Sequence, residues 1–299
     1  MKKIKDIKYY LSEWQKLNAR FFRKVFKNYK FSKRENVTYN TKFENMFLTD
    51  ADPVFVLSTG RCGTEFISKV LGKIAQFDVY HSPKPEMIFF TKFAYANYDT
   101  APEELKNIVK AARLELILES YLRNRRYIET NNLITFFAYA VAEIFPGSKF
   151  IHLVRHPASF VRSGIRRNWY SGKNLHDLSR IKPLGEDENF SRISDIERIG
   201  WLWNETNQFI ENFKKSINQN TRILSVKAED MFSQKDELQK IFHFLDVDVK
   251  NEFLMKQISR KPVNRQESGD FPPFDKWTEE DKIKLKKVCT LANLYEYVF

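Results

Sequence analysis

The chain has 299 residues, 42% hydrophobic and 15% aromatic, enough for one sizeable core, and no run of about 18 apolar residues offers a transmembrane helix. Its two cysteines, Cys62 and Cys289, make no disulfide framework, no Cys/His cluster has metal-ligand spacing, and the N-terminus lacks the apolar stretch of a signal peptide, so a reducing, cytoplasmic setting without a metal is expected. The net charge of +12 is lopsided: residues 1–34 hold twelve Lys/Arg against Asp6 and Glu13, which leaves a nearly neutral body and argues against a nucleic-acid-binding protein.

In chain order the first predicted element is an amphipathic arm. Ile4, Ile7, Leu11, Trp14, Leu17, Phe21, Val25 and Tyr29 recur at helical spacing among the basic residues. Such a stripe docks on the core or on a second subunit, or lies on an anionic membrane surface. A linker follows, so the expected organisation is an arm and linker at 1–50 and one domain at 51–299. Pro53–Ser58 reads as a buried strand, Cys62–Ile74 as a helix and Phe77–His81 as a short strand. Helices are expected over 102–124, with Pro102 in the first turn, and over 132–144, stopped by Pro146-Gly147. Lys149–Val154 is a strand and Pro157–Trp169 a helix. A polar loop at 170–192, a helix at 193–217, a strand at 222–227 and a helix at 234–245 follow, then a loop at 259–275 and a last helix from Thr278. Strands alternating with helices predict an α/β fold with a parallel sheet covered on both faces.

Two stretches carry chemistry. Ser58-Thr59-Gly60-Arg61-Cys62-Gly63-Thr64 joins a strand to a helix, a geometry that points backbone N–H groups and the helix dipole at an anion. A nucleotide kinase using ATP and Mg²⁺ needs Gly-Lys-[Ser/Thr] at the end of that loop; here no lysine follows Gly63, and Arg61 stands inside the loop instead. In KFIHLVRHPASFVRSGIRRNW, Arg155 ends a strand where open α/β sheets bind ligands, Ser163 follows eight residues later, and Arg167 lies one helical turn beyond. Two guanidiniums and a hydroxyl make a phosphate receptor.

Together these segments resemble the sulfotransferases that use 3′-phosphoadenosine 5′-phosphosulfate (PAPS). STGRCGTEF is similar to that family's 5′-phosphosulfate loop, and RHPASFVRSGIRR to its 3′-phosphate motif. YIETNNLITFFAYAVAEIFPGSKFIHLVRHP, ILSVKAEDMF and IFHFLDV extend the likeness, and KPVNRQESGDFPPFDKW resembles a segment of the tyrosylprotein branch. The resemblance covers about residues 53–299 and points to the carbohydrate/tyrosylprotein-like, microbial type. It implies a three-layer P-loop sulfotransferase-like fold and sulfuryl transfer without a metal. Gly60, Arg61, Cys62, Gly63, Thr64 and Glu65 would then bind the 5′-phosphosulfate, with Arg61 also catalytic. Arg155, Ser163 and Arg167 would grip the 3′-phosphate, and Lys261, Asn264 and Lys276 would close over the nucleotide.

Departures from the family pattern matter. His81-Ser82-Pro83 stands where microbial relatives read His-Glu-Pro, so the base that takes the acceptor's proton is either His81, whose imidazole type titrates near neutrality, or Glu86. Cys62 replaces a serine and is read as a small residue beside the phosphate, with a helix N-terminus expected to lower its thiol pKa. Glu65 is expected to turn away from the anion, and His152 to be structural. The segment 82–100, with Phe89, Phe90, Phe93, Tyr95 and Tyr98, and the loop at 170–192 are expected to wall the acceptor site for a glycan or lipid-linked acceptor. The competing readings are the ATP-Mg²⁺ kinase and a catalytically dead, anion-binding adaptor at a membrane surface.

Overall fold

The computed structural model describes residues 41–185, 187–217, 222–258 and 270–299. The basic arm and the candidate residues Lys261 and Asn264 lie outside them. Five strands form one sheet: β1 (Val54–Ser58), β2 (Phe77–Tyr80), β3 (Arg126–Glu129), β4 (Lys149–Val154) and β5 (Ile223–Lys227). Their spatial order is β2-β3-β1-β4-β5, and every neighbouring pair is parallel. The α/β class with a parallel sheet flanked by helices is therefore observed.

The helices are α1 (Thr41–Asp50), α2 (Thr64–Leu71), α3 (Thr91–Asn97), α4 (Pro102–Leu122), α5 (Ala138–Ile144), α6 (Pro157–Ile165), α7 (Asp187–Arg192), α8 (Asp195–Ser216), α9 (Ala228–Ser233), α10 (Lys235–Phe244), α11 (Asn251–Ile258) and α12 (Glu279–Val288). Strand β1 is buried along its whole length because both of its faces are covered. Its alternation sends Phe55 and Leu57 into one apolar cluster with Phe150, Phe137 and Trp203. Val54 and Val56 enter a second cluster on the opposite face with Ile67, Ile151 and Ile241.

Local chemistry sets the helix starts. Ser194 opens α8 with a reciprocal cap: its hydroxyl accepts from Glu197 N–H (3.3 Å), and the Glu197 carboxylate accepts from Ser194 N–H (3.0 Å). Thr278 caps α12 by accepting from Asp281 N–H at 3.1 Å.

The structure corrects several boundaries. Strand β3 is absent from the sequence reading because it is four residues long, opens on Arg126 directly after Arg125 and lacks clear alternation. Residues 132–144 divide into a 3-10 turn (Asn132–Phe137) and α5, with Asn131 accepting from Leu133 N–H at 3.1 Å. Helix α6 stops at Ile165, since the chain turns through the left-handed region at Asn168 (φ 51°) and Tyr170 (φ 64°). The supposed loop at 170–192 contains a 3-10 turn (Leu175–Leu178) and α7, while α9 and α11 were not anticipated.

Candidate active site

The loop after β1 and the residue after β4 emerge side by side at the carboxyl edge of the sheet. The connection from β1 runs toward β2 and that from β4 toward β5, so their seam is the switch point where open α/β sheets take ligands. The loop is built on left-handed backbone: Gly60 has φ 80°, Arg61 φ 57° and Gly63 φ 88°. A methyl group at Gly63 would lie 2.6 Å from Phe232 Cζ and 2.8 Å from Met231 Cε, so a side chain is excluded on two grounds.

Side chains hold this loop from below. Thr135 Oγ1 accepts from Ser58 N–H and donates to Ser58 O, both at 3.1 Å. Gly60 N–H donates to Ser58 Oγ at 3.1 Å and is engaged within the loop itself. N–H groups in a first turn have no intrahelical acceptor. Cys62 is buried, with its sulfur 3.1 Å from Gly60 O and 3.2 Å from Thr59 Oγ1. Burial pushes its thiol up to about 11, so the expected lowering by the helix end is overturned. Glu65 pairs with Lys69 at 2.8 Å on the exposed side of α2, which fits its expected outward turn.

Three guanidiniums meet above the loop. Arg155 Nη1 donates to Arg61 O at 2.7 Å. Arg61 Nε donates to Ser163 Oγ at 3.3 Å, and Arg167 Nη1 donates to the same oxygen at 2.8 Å. Arg61 thus reaches a hydroxyl 102 positions along the chain, and Arg167 reaches the same one although α6 has already ended. Burial and then the Arg155 charge lower the pKa of Arg61. Burial, followed by Arg61, Arg166 and Arg155, lowers Arg167 to about 10. Trp203 Nε1–H donates to Arg155 O at 2.8 Å and locks the end of β4 against α8.

A cavity of about 380 Å³ opens beside this cluster, lined by Gly60, Arg61, Thr64, His81, Glu86 and Arg167 among others. Both candidate bases therefore face the same space as the loop. His81 Nδ1 lies 2.9 Å from Thr130 Oγ1, and that hydroxyl is 3.4 Å from Tyr80 O. If Thr130 donates to the carbonyl, it accepts from Nδ1–H, and the imidazole lone pair is on Nε2. The Glu86 carboxylate is held by Lys84.

Sequence reasoning missed the group behind this wall. Arg113, fully buried in α4, makes a two-point ion pair with the buried Glu129 carboxylate (2.6 and 3.0 Å), and a third N–H reaches Pro85 O at 3.0 Å. Tyr127 O–H donates to Glu129 at 2.9 Å. The pair fixes the backbone next to Glu86. Its only sequence signal was a charged residue on each of two elements, and one of those elements, β3, went unrecognised.

The remaining candidates are dispersed. Lys276 is exposed on the turn Phe274–Lys276; Phe271 O and Pro272 O, just upstream, accept from Arg162 Nε of α6 at 3.0 and 3.1 Å. His152 is buried with Nε2 2.9 Å from Asn207 Oδ1, and burial draws its pKa down to about 3, a structural histidine as expected. Of the five aromatics expected to wall the acceptor site, Tyr95 and Tyr98 pack into the interior instead, Tyr95 bonding Glu205 at 2.9 Å and Tyr98 stacking on Tyr139. Among the described residues no group of three His, Cys, Asp or Glu is placed to hold a metal, and no helix is long and apolar enough to cross a membrane.

Comparison with solved structures finds similar chains. The sulfotransferase domain from the curacin biosynthetic pathway is 16% identical, with 84% of this chain and 99% of that one covered and a TM-score of 0.48. The sulfotransferase domain of a Synechococcus olefin synthase is 20% identical, with 83% and 97% covered and a TM-score of 0.46. A mouse sulfotransferase complexed with PAP is 14% identical, with 90% and 97% covered and a TM-score of 0.47. No curated protein matches the chain. The sulfotransferase family matches over residues 53–251, a span that holds the loop after β1, both candidate bases and the arginine cluster but not the tail segment that resembled the tyrosylprotein branch, and the chain belongs to that family.

Proposed function

We propose that the protein moves a sulfuryl group from PAPS to a hydroxyl or amine of an acceptor. Family membership supplies the reaction class. The observation that carries the donor is the meeting of Arg61 and Arg167 on Ser163 Oγ, with Arg155 on the loop backbone. Guanidiniums crowded by like charge are stabilised by an anion. In this reading the loop and the start of α2 hold the 5′-phosphosulfate, and Arg155, Ser163 and Arg167 hold the 3′-phosphate.

The acceptor oxygen attacks sulfur in line. The new S–O bond forms as the bond from sulfur to the 5′-phosphate oxygen breaks, and that electron pair leaves with adenosine 3′,5′-bisphosphate. Arg61 stabilises charge on the sulfuryl oxygens and the departing oxygen. The acceptor's proton passes to Nε2 of His81; Glu86, engaged with Lys84, is the second candidate. The acceptor we take as a glycan or glycolipid, in keeping with the hydroxyl and carboxamide groups of the cavity wall.

Calorimetric titration with adenosine 3′,5′-bisphosphate and with ATP-Mg²⁺ tests the donor. Micromolar, metal-independent binding of the bisphosphate that Arg155→Ala abolishes is expected. Binding of ATP-Mg²⁺ alone would replace this reading with a kinase. Once an acceptor turns over, His81→Gln should slow transfer far more than Glu86→Gln, and the reverse order would move the base to Glu86.

A further inference from the structure

A third guanidinium stands in the wall of the cavity. Arg180, just after the 3-10 turn Leu175–Leu178, lines the space together with Arg61 and Arg167, and its side chain is 11% exposed. Its Cζ lies 4.2 Å from the centroid of the Trp169 ring. Trp169 is buried and firmly seated: it packs edge-on to Phe160, and a methyl group at Gly164 would come within 2.6 Å of its Cε3. Arg180 Nη1 donates to Asp177 Oδ1 at 2.9 Å. The guanidinium is therefore fixed by a ring and a carboxylate before any ligand arrives, which lowers the entropy cost of binding one.

Asp177 does not exhaust that charge. Its carboxylate also accepts from Tyr170 N–H at 3.1 Å and from Gly172 N–H at 3.0 Å, so it braces the turn after Trp169 as well. Burial lowers the pKa of Arg180, and Asp177 and then Tyr170 offset this only in part. The atoms used differ from those of Arg113. Arg113 grips the Glu129 carboxylate with Nε and Nη2, the edge whose parallel N–H groups match two carboxylate oxygens. In Arg180 the same edge has no acceptor among the described residues, and neither nitrogen is sealed from solvent. The surrounding charge has the same sense. The cavity wall holds three guanidiniums (Arg61, Arg167 and Arg180) against one carboxylate, Glu86, which Lys84 already engages. Arg61 and Arg167 answer the donor's anions, and Arg180 is left for another.

Resting on the sulfuryl-transfer reading, we infer that the acceptor is acidic: a carboxylate of the acceptor docks on the Nε–Nη2 edge of Arg180 while the hydroxyl to be sulfated occupies the same cavity. The probes are methyl β-D-glucuronide and methyl β-D-glucoside, which differ only in carrying a carboxylate or a hydroxymethyl group at one carbon. Each is titrated into the full chain with and without saturating adenosine 3′,5′-bisphosphate. With the bisphosphate bound, the glucuronide should bind about tenfold tighter, as expected of hydrogen bonds to a charged group. Arg180→Gln should erase that preference and leave bisphosphate affinity unchanged. Arg180→Lys, which keeps a cation beside Asp177 but lacks the fork, should lose most of it with an unaltered thermal transition. Equal affinities, no binding of the glucuronide, or a preference that survives Arg180→Gln would each overturn the inference. A loss of bisphosphate affinity in Arg180→Gln would overturn it too, by moving Arg180 to the donor site. Failure of the bisphosphate to bind the unaltered chain would instead overturn the donor reading, and the difference between the unaltered and Arg180→Gln chains without nucleotide reads the carboxylate subsite separately.

Discussion

Arg113 and Arg61 are both withdrawn from solvent near the carboxyl edge of the sheet, and their surroundings are opposite. Burial acts to lower the pKa of Arg113, but the Glu129 carboxylate more than offsets it and the net shift is upward. Arg61 sits beside Arg155 and shares a hydroxyl with Arg167, and its pKa is lowered. A charge answered inside the fold belongs to the architecture, and removing its partner strands the other charge. Charges set against one another are higher in energy until an anion arrives, an arrangement that fits a binding site. The two centres should therefore fail differently when altered.

The largest effect is expected at the internal pair. Arg113→Met leaves the Glu129 carboxylate buried without its partner and should cost about 3–5 kcal/mol of unfolding free energy, read by chemical denaturation. Arg61→Ala should cross over: little change in denaturation midpoint, with a loss of about 2.7–4 kcal/mol in transition-state stabilisation, read as kcat. If Arg61→Ala proves as destabilising as Arg113→Met, the contrast between the two centres collapses. Ser163→Ala removes the oxygen on which Arg61 and Arg167 meet and should weaken bisphosphate binding by about 0.5–1.5 kcal/mol in calorimetry.

The smallest effect is in pH dependence. Arg167 has its folded pKa depressed from 12.5 to about 10. Folding therefore disfavours its charged form: a modest cost to stability is present below about pH 10 and is relieved as pH rises through that value. Anion binding has the opposite sign, because the protonated form holds phosphate. Bisphosphate affinity should be flat up to about pH 9 and fall above about pH 10, with proton uptake on binding near the transition. Calorimetry in buffers of different ionisation enthalpy reads that uptake, and proton-neutral binding throughout would mean that Arg167 keeps its proton with and without the anion.

The legible parts of the sequence were those where local pattern and chemistry coincide. The run at Val54–Ser58 is apolar because β1 is covered on both faces, and the glycines after it announce a backbone that L side chains rarely adopt. Arg155 and Ser163 could be paired on paper because a strand end and the following helix fix their separation. The four-residue β3 carried too little pattern to be seen, and with it went the Arg113–Glu129 pair, whose members are 16 residues apart on two elements. Tyr95 and Tyr98 misled for a related reason: aromatic composition does not say which side of a short helix faces the core.

By itself the sequence determined the α/β class, the glycine-bearing loop from strand to helix, the arginine and serine that follow β4, and the family to which they belong. These are properties of contiguous residues, set by backbone sterics and by the fixed spacing of strands and helices. Only the tertiary structure decided that Arg61 and Arg167 converge on one hydroxyl, that Arg113 locks the chain beside Glu86, and that His81 and Glu86 line one cavity with Arg61 and Arg167. Those are relations between segments far apart in the chain, and they arise when parallel crossovers bring separate loops to one edge of the sheet.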